Sequence, residues 1–222
     1  MDGAGRRVFA SGLRNAIGLD MHPVTNELWA TNNGHGREGG LLPPEWIDIV
    51  RDGGFYGWPL AYPHQAYVDF SISQYTPMLP LSPEDSLKVE RMQRPIAQVP
   101  AHLAPMALHF YNGDSFPARY RNAAFFALRA GRRSPAPGYK IMALFSEPDG
   151  ANARVADFLT GFEPDPFDRG RVWGQPVGIA EDVRGNLYIS SDWVSHAIIK
   201  VVPGRIDARF ESALPEAILS GR

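Results

Sequence analysis

Cysteine is absent from the 222 residues, which excludes disulfides, thiolate-held zinc and a cysteine nucleophile. No uninterrupted apolar run reaches the roughly 18 residues that a membrane-spanning helix needs. Neither sign of charge dominates: 22 Lys and Arg stand against 24 Asp and Glu, a net charge of −2. That balance offers no basic footprint for nucleic acid. The opening Met1-Asp2-Gly3-Ala4-Gly5-Arg6-Arg7 lacks the apolar core of a signal peptide. Glycine and proline, by contrast, are plentiful at 22 and 20 residues and are spread along the whole length. Such punctuation favours many short strands joined by turns over a helical bundle. The length is enough for one domain that buries roughly 70% of its unfolded surface.

Internal similarity carries the fold expectation. Residues 17–31 read Ile-Gly-Leu-Asp-Met-His-Pro-Val-Thr-Asn-Glu-Leu-Trp-Ala-Thr, and residues 177–190 read Val-Gly-Ile-Ala-Glu-Asp-Val-Arg-Gly-Asn-Leu-Tyr-Ile-Ser. Each predicts a strand, a polar turn and a second strand bearing an aromatic, Trp29 or Tyr188. A looser copy runs from Pro105–Leu108 to Ala124–Leu128 across a turn containing Asn112-Gly113-Asp114. The glycine near the start of each first strand allows close packing of a neighbour. Residues 139–145 and 197–202 read as further strands, rich in branched and aromatic side chains. The pattern predicts an all-β chain, a partial β-propeller, with a sandwich as the alternative that periodicity allows. At about 40–50 residues per blade the length supplies three to four blades. Residues 1–204 are assigned to this partial propeller and 205–222 to a C-terminal tail, either a short amphipathic helix or a frayed end. Thr76–Pro105 reads as a long Pro-rich excursion outside the blades.

Several polar segments could carry chemistry. Arg14 and Asn15 stand just before the first strand, where a solvated arginine and a turn asparagine are the plain alternative. Asn33-Gly34-His35 follow its partner strand and suit a β-turn, although calcium readily takes such backbone carbonyls. Gly53-Gly54-Phe55-Tyr56-Gly57-Trp58-Pro59 reads as a structural corner anchored by Trp58. Arg129, Arg132 and Arg133 cluster at a strand end, as either a surface charge group or an anion site. Gln175 opens the last repeat.

Taken in order, the Arg14-Asn15 block, Asn33-Gly34-His35, Gly53–Pro59, Phe116–Arg121, Arg129–Arg133 and Val172–Ala180 resemble the pyrroloquinoline quinone (PQQ)-dependent glucose/sorbosone and pyranose dehydrogenases. The resemblance covers about Phe9 to Val202 and matches that family's C-terminal portion. It implies part of a six-bladed β-propeller oxidising an aldose, pyranose or sorbosone-like sugar by hydride transfer to PQQ, with an external electron acceptor. Arg14 would then hold quinone carboxylates through its bidentate fork and stabilise charge as hydride arrives. Asn15, Asn33, Arg132, Arg133 and Gln175 would be further cofactor contacts, with the exact contact among Arg129, Arg132 and Arg133 left open. Calcium would take the carbonyls of Gly34 and His35. Relatives carry Trp-Asn before the second arginine, and many have arginine where Gln175 stands.

The family's histidine base lies upstream of the Arg-Asn block. None of His22, His35, His64, His102, His109 or His196 takes its place in the motif order. The chain is therefore expected to be a fragment, inactive alone, whose partners are the missing N-terminal blades. A periplasmic or secreted location follows from the resemblance only. Two other functions are alternatives on the sequence: a calcium-dependent propeller lactonase, and a non-catalytic binding propeller.

Overall fold

The computed structural model describes residues 4–36, 38–130, 136–163 and 171–204. In chain order the strands are β1 (Ala16–Met21), β2 (Leu28–Asn32), β3 (Glu45–Ile49), β4 (Ala61–Tyr62) and β5 (Ala66–Tyr67). Helix α1 (Pro83–Glu90) precedes β6 (Ala97–Val99), β7 (Pro105–Phe110), β8 (Ala124–Leu128), β9 (Lys140–Phe145) and β10 (Arg154–Leu159). The last sheet comprises β11 (Gly174–Glu181), β12 (Leu187–Val194) and β13 (Ile198–Val201). Arg132, Arg133 and the 205–222 tail lie outside the described residues.

Three antiparallel blades result: β1-β2-β3-β6, β7-β8-β9-β10 and the three-stranded β11-β12-β13, with β4-β5 a separate short ribbon. This is a partial β-propeller, and none of its sheets closes on itself. Each blade's inner hairpin is built by local chemistry. In the β1–β2 turn the His22 ring nitrogen Nδ1 accepts the Val24 and Thr25 backbone N–H groups. In the β11–β12 turn the Asp182 carboxylate accepts from Asn186 Nδ2 and N, Arg184 N and the Tyr188 hydroxyl. Those bonds hold its pKa far below the usual carboxylate range.

The middle blade explains why its sequence does not alternate. Strand β8, Ala124-Phe125-Phe126-Ala127-Leu128, is buried throughout. Phe126 and Leu128 pack with Trp29, Ile47 and Ile49 of the first blade, while Phe125 and Ala127 pack with Leu187 and Ile189 of the third. A sheet covered on both faces needs apolar residues on both. Gly18 marks the first junction, because a Cβ there would lie 2.2 Å from the Met106 carbonyl oxygen.

One expectation needs correction. The segment from Thr76 to Pro105 is not wholly outside the blades, since Ala97–Val99 pairs with β3 as the first blade's outermost strand. Helix α1 lies in the same segment, started by a Ser82–Asp85 capping box. Its Val89 packs with Leu60 and Met92 beneath the 55–62 loop.

Candidate functional site

The inner strands β1, β7 and β11 begin at one rim, and their hairpin partners β2, β8 and β12 end there, as the pairings Ala16↔Asn32, Pro105↔Leu128 and Gly174↔Val194 show. Arg14, Asn33–His35, Arg129 and Gln175 are therefore carried on the same rim by three successive blades. Topology, rather than proximity in sequence, brings them there.

Asn32, at the end of β2, organises the first cluster. Its Oδ1 accepts the backbone N–H of both Arg14 (2.9 Å) and Asn15 (3.0 Å). Asn33 N donates back to the Asn15 carbonyl at 3.0 Å. Held this way, Arg14 donates through Nη1 to the Gly34 carbonyl at 2.8 Å and more loosely to that of Asn33 at 3.4 Å. Its guanidinium carbon stands 5.7 Å from the centre of the Trp58 ring, within cation–π range. Trp58, expected as a structural corner residue, lies in the floor beneath Arg14. The corner role is also real: Tyr56 N and Trp58 N donate to the carbonyls of Ser11 and Gly12. These bonds fasten the approach to Arg14. Asn15 is exposed at this edge.

Arg14, Gly34, His35, Trp58 and Tyr62 line a small cleft of about 20 Å³. Behind it lies a buried polar layer that motif reading did not find. The His35 ring is buried, 5.9 Å from Trp58 and 5.8 Å from Tyr75, with Nε2 3.1 Å from Gln74 Oε1. Its Nδ1 lies 3.6 Å from Glu38 Oε1, whose side chain is only 4% exposed. The Glu38 carboxyl oxygens and the Tyr62 and Tyr75 hydroxyls are buried together in this layer. Burial pushes both tyrosine pKa values up, and the adjacent Glu38 carboxylate adds to the rise. Asn33 contributes a buried oxygen without a partner, Oδ1. Glu38 sits three residues from His35 in a loop with no recognisable motif.

Glu45 fixes the depth of the Gly34 turn. It is 3% exposed, its Oε2 accepts Ala104 N at 2.6 Å, and burial raises its pKa to about 7. Backbone N–H groups of Leu103 and Gly34 oppose that rise. Glu45 thereby joins the 33–35 turn to the loop that enters β7.

Further round the rim, Arg129 donates through Nε and Nη2 to Asp192 Oδ2, both at 2.8 Å, across the second and third blades. This pairing accounts for Asp192, and it commits Arg129 to a neighbour. Gln175 N donates to Ser191 Oγ at 3.0 Å inside the third blade. Among the described residues no group of three or more His, Asp or Glu side chains converges on a metal-sized point. A cation at this rim would rest on carbonyl and amide oxygens.

The model of the glucose/sorbosone dehydrogenase family matches residues 1–132, more than half of the chain. An uncharacterised protein of Borreliella burgdorferi is 30% identical over 189 residues, covering 84% of this chain and 46% of that protein. A glucose dehydrogenase crystal structure superposes with a TM-score of 0.61 at 24% identity, covering 91% of this chain and 49% of the other. The PQQ-bound aldose sugar dehydrogenase of Streptomyces coelicolor superposes with a TM-score of 0.55 at 17% identity, covering 90% and 46%. The chain spans about half the length of these proteins.

Proposed function

This chain belongs to the glucose/sorbosone dehydrogenase family, and from that premise we propose that it is the C-terminal portion of a quinoprotein sugar dehydrogenase. Its substrate is an aldose, a pyranose or a sorbosone-like sugar, its cofactors are PQQ and calcium, and an external acceptor takes the electrons. The observation that carries the reading is Arg14, whose guanidinium is poised over Trp58 at an open rim with its backbone locked by Asn32.

The residues present fit the cofactor's chemistry. Arg14 is exposed and permanently charged, as recognition of a carboxylate requires. Asn33 Oδ1 is a buried acceptor without a partner, and the Gly34 carbonyl already receives a cationic group, Arg14. Gly34 and His35 would hold calcium through backbone oxygens. Asn15, Asn33 and Gln175 would supply amide contacts, and Arg132 and Arg133 remain candidates on the continuing loop. PQQ, when bound, supplies the hydride acceptor. The work of this chain is to place Arg14 where negative charge develops and to keep water from beneath it with Trp58 and the buried His35. The upstream blades supply the histidine base, in a periplasmic or secreted setting.

The test is to join this chain to its upstream half, add PQQ and calcium, and follow dye reduction over a panel of sugars. Sugar-dependent reduction by the joined protein, with none from the 222-residue chain alone, supports the reading. A joined protein that binds no PQQ, or a lone chain that oxidises sugar at a comparable rate, overturns it.

A further inference from the structure

Two Asn-Gly steps occur in the chain, Asn33-Gly34 and Asn112-Gly113. The first follows β2 at the rim, and the second lies in the β7–β8 turn at the far end of the second blade. Asparagine is a thermolabile residue, and a following glycine has no Cβ to shield its nitrogen from the side-chain amide. That nitrogen attacks Asn Cγ, and the amide leaves as ammonia together with the glycine N–H proton. A five-membered imide closes. Water then adds to either imide carbonyl and opens the ring to aspartate or isoaspartate.

Hydrogen bonding decides which step reacts, because a glycine N–H that already donates must first be freed. Gly34 N–H is turned to the Glu45 carboxyl, and Asn33 is only 6% exposed, with its own N–H on the Asn15 carbonyl. Two Asp-Gly steps are restrained in the same way. Gly53 N donates to the Phe9 carbonyl at 2.8 Å, and Gly150 N to that of Glu147 at 2.9 Å. Their carboxylates are engaged as well, Asp52 by Arg7 at 2.5 and 2.6 Å and Asp149 Oδ1 by Ala151 N at 2.9 Å. Gly113 differs. Among the described residues neither its N–H nor the Asn112 side-chain amide has a hydrogen-bond partner, and Asn112 is exposed.

Packing imposes the glycine at this position. A Cβ on Gly113 would lie 2.6 Å from Glu181 Oε1 and 2.7 Å from both Gly185 Cα and the Tyr111 hydroxyl oxygen. The turn is also where the second blade is fastened to the third. Glu181 Oε2 accepts Asn112 N at 3.0 Å and lies 3.0 Å from His109 Nε2, while the Tyr111 hydroxyl donates to the Gly185 carbonyl at 2.9 Å. Isoaspartate at 112 routes the main chain through the side-chain carbon and lengthens it by a methylene, which drives Gly113 out of its slot. Either product also sets a new carboxylate beside Asp114 and opposite Glu181, where like charges repel.

We propose that Asn112 is a self-modification site of this chain, converting through the imide to isoaspartate and aspartate and so loosening the seam between the second and third blades. The only co-reactant is water. Asn33, with the same sequence step, is spared by the hydrogen bonding and burial of the rim. The inference rests on the far turn and is independent of the cofactor reading.

Warm incubation of the purified 222-residue chain in mildly alkaline buffer, followed by peptide mass spectrometry, tests it. In the folded chain Asn112 is expected to convert at least about tenfold faster than Asn33, whereas in urea the two steps convert alike. Enzymatic methylation of isoaspartate counts the lengthened product. Asn112→Gln keeps the backbone donor to Glu181, and its longer side chain closes an imide far more slowly. That variant is expected to hold its unfolding midpoint through an incubation that lowers the midpoint of the native chain. Equal conversion of Asn33 and Asn112 in the folded chain overturns the proposal. So does an Asn112 that stays intact in the folded chain while the urea-unfolded chain converts. Isoaspartate at 112 with an unchanged midpoint overturns the loosening of the seam.

Discussion

Asn32 Oδ1 accepts the backbone N–H groups of Arg14 and its neighbour from the far side of the first hairpin, 18 residues away in sequence. One amide thus sets where the rim's exposed guanidinium begins. Asn32→Ala leaves two N–H groups without this acceptor and frees the Arg14 loop. The expected loss is about 1–3 kcal/mol in thermal or urea unfolding. In the complete dehydrogenase the same substitution weakens PQQ binding more than it alters the unfolding midpoint, which fluorescence titration beside a melt resolves.

Arg14→Lys separates charge from geometry. Lysine keeps the positive charge but cannot form a planar fork or span Gly34 and Trp58 in the same way. PQQ affinity of the complete protein is expected to fall about tenfold or more, and Arg14→Ala to fall further. Equal affinity in Arg14→Lys and the native protein would remove Arg14 from the cofactor site.

The buried acids govern the pH profile. Burial raises Glu45 and Asp48 from ordinary values of 4.5 and 3.8 to about 7. Between those limits the folded chain holds more protons than the unfolded chain, so stability falls as pH rises and levels off above about 7. Melts should therefore show a higher midpoint near pH 5 than near pH 7.5. Glu45→Gln, which keeps an acceptor for Ala104 N, and Asp48→Asn should each flatten that slope, and an unchanged slope in the double variant would refute the assignment.

Gly18→Ala tests the first blade junction. The added methyl would lie 2.2 Å from the Met106 carbonyl oxygen and 2.6 Å from Leu108 N, and backbone cannot swing aside as a side chain can. A loss of about 1–3 kcal/mol or more is expected by chemical denaturation. Gly178→Ala meets only the Ser190 side chain within 4 Å, at 2.7 Å, and should cost less.

Strands with a strong period or a turn signature were legible in the sequence. The β1–β2 and β11–β12 hairpins carry matching turn residues, and β9 and β13 fall within the expected ranges. Strand β6 was not legible, because three residues, Ala97–Val99, carry little pattern and follow a proline-rich stretch. Helix α1 was missed although Ser82 and Asp85 form a recognisable cap, since only Val89 of its eight residues is buried. At the site, the Arg14, Asn33 and Gly34 positions were readable from motif order. Asn32 was hidden by its neighbour Asn33, and Glu38 by a loop whose importance comes from what folds over it.

The amino-acid sequence by itself determined the hairpin repeats, the apolar middle blade and the order of the rim motifs, because these depend on alternation, turn chemistry and short-range spacing. Only the tertiary structure decided that Trp58 lies under Arg14 and that Glu38 is buried against His35. Those outcomes depend on which loop folds against which, and neighbours distant along the chain leave no local mark in its composition.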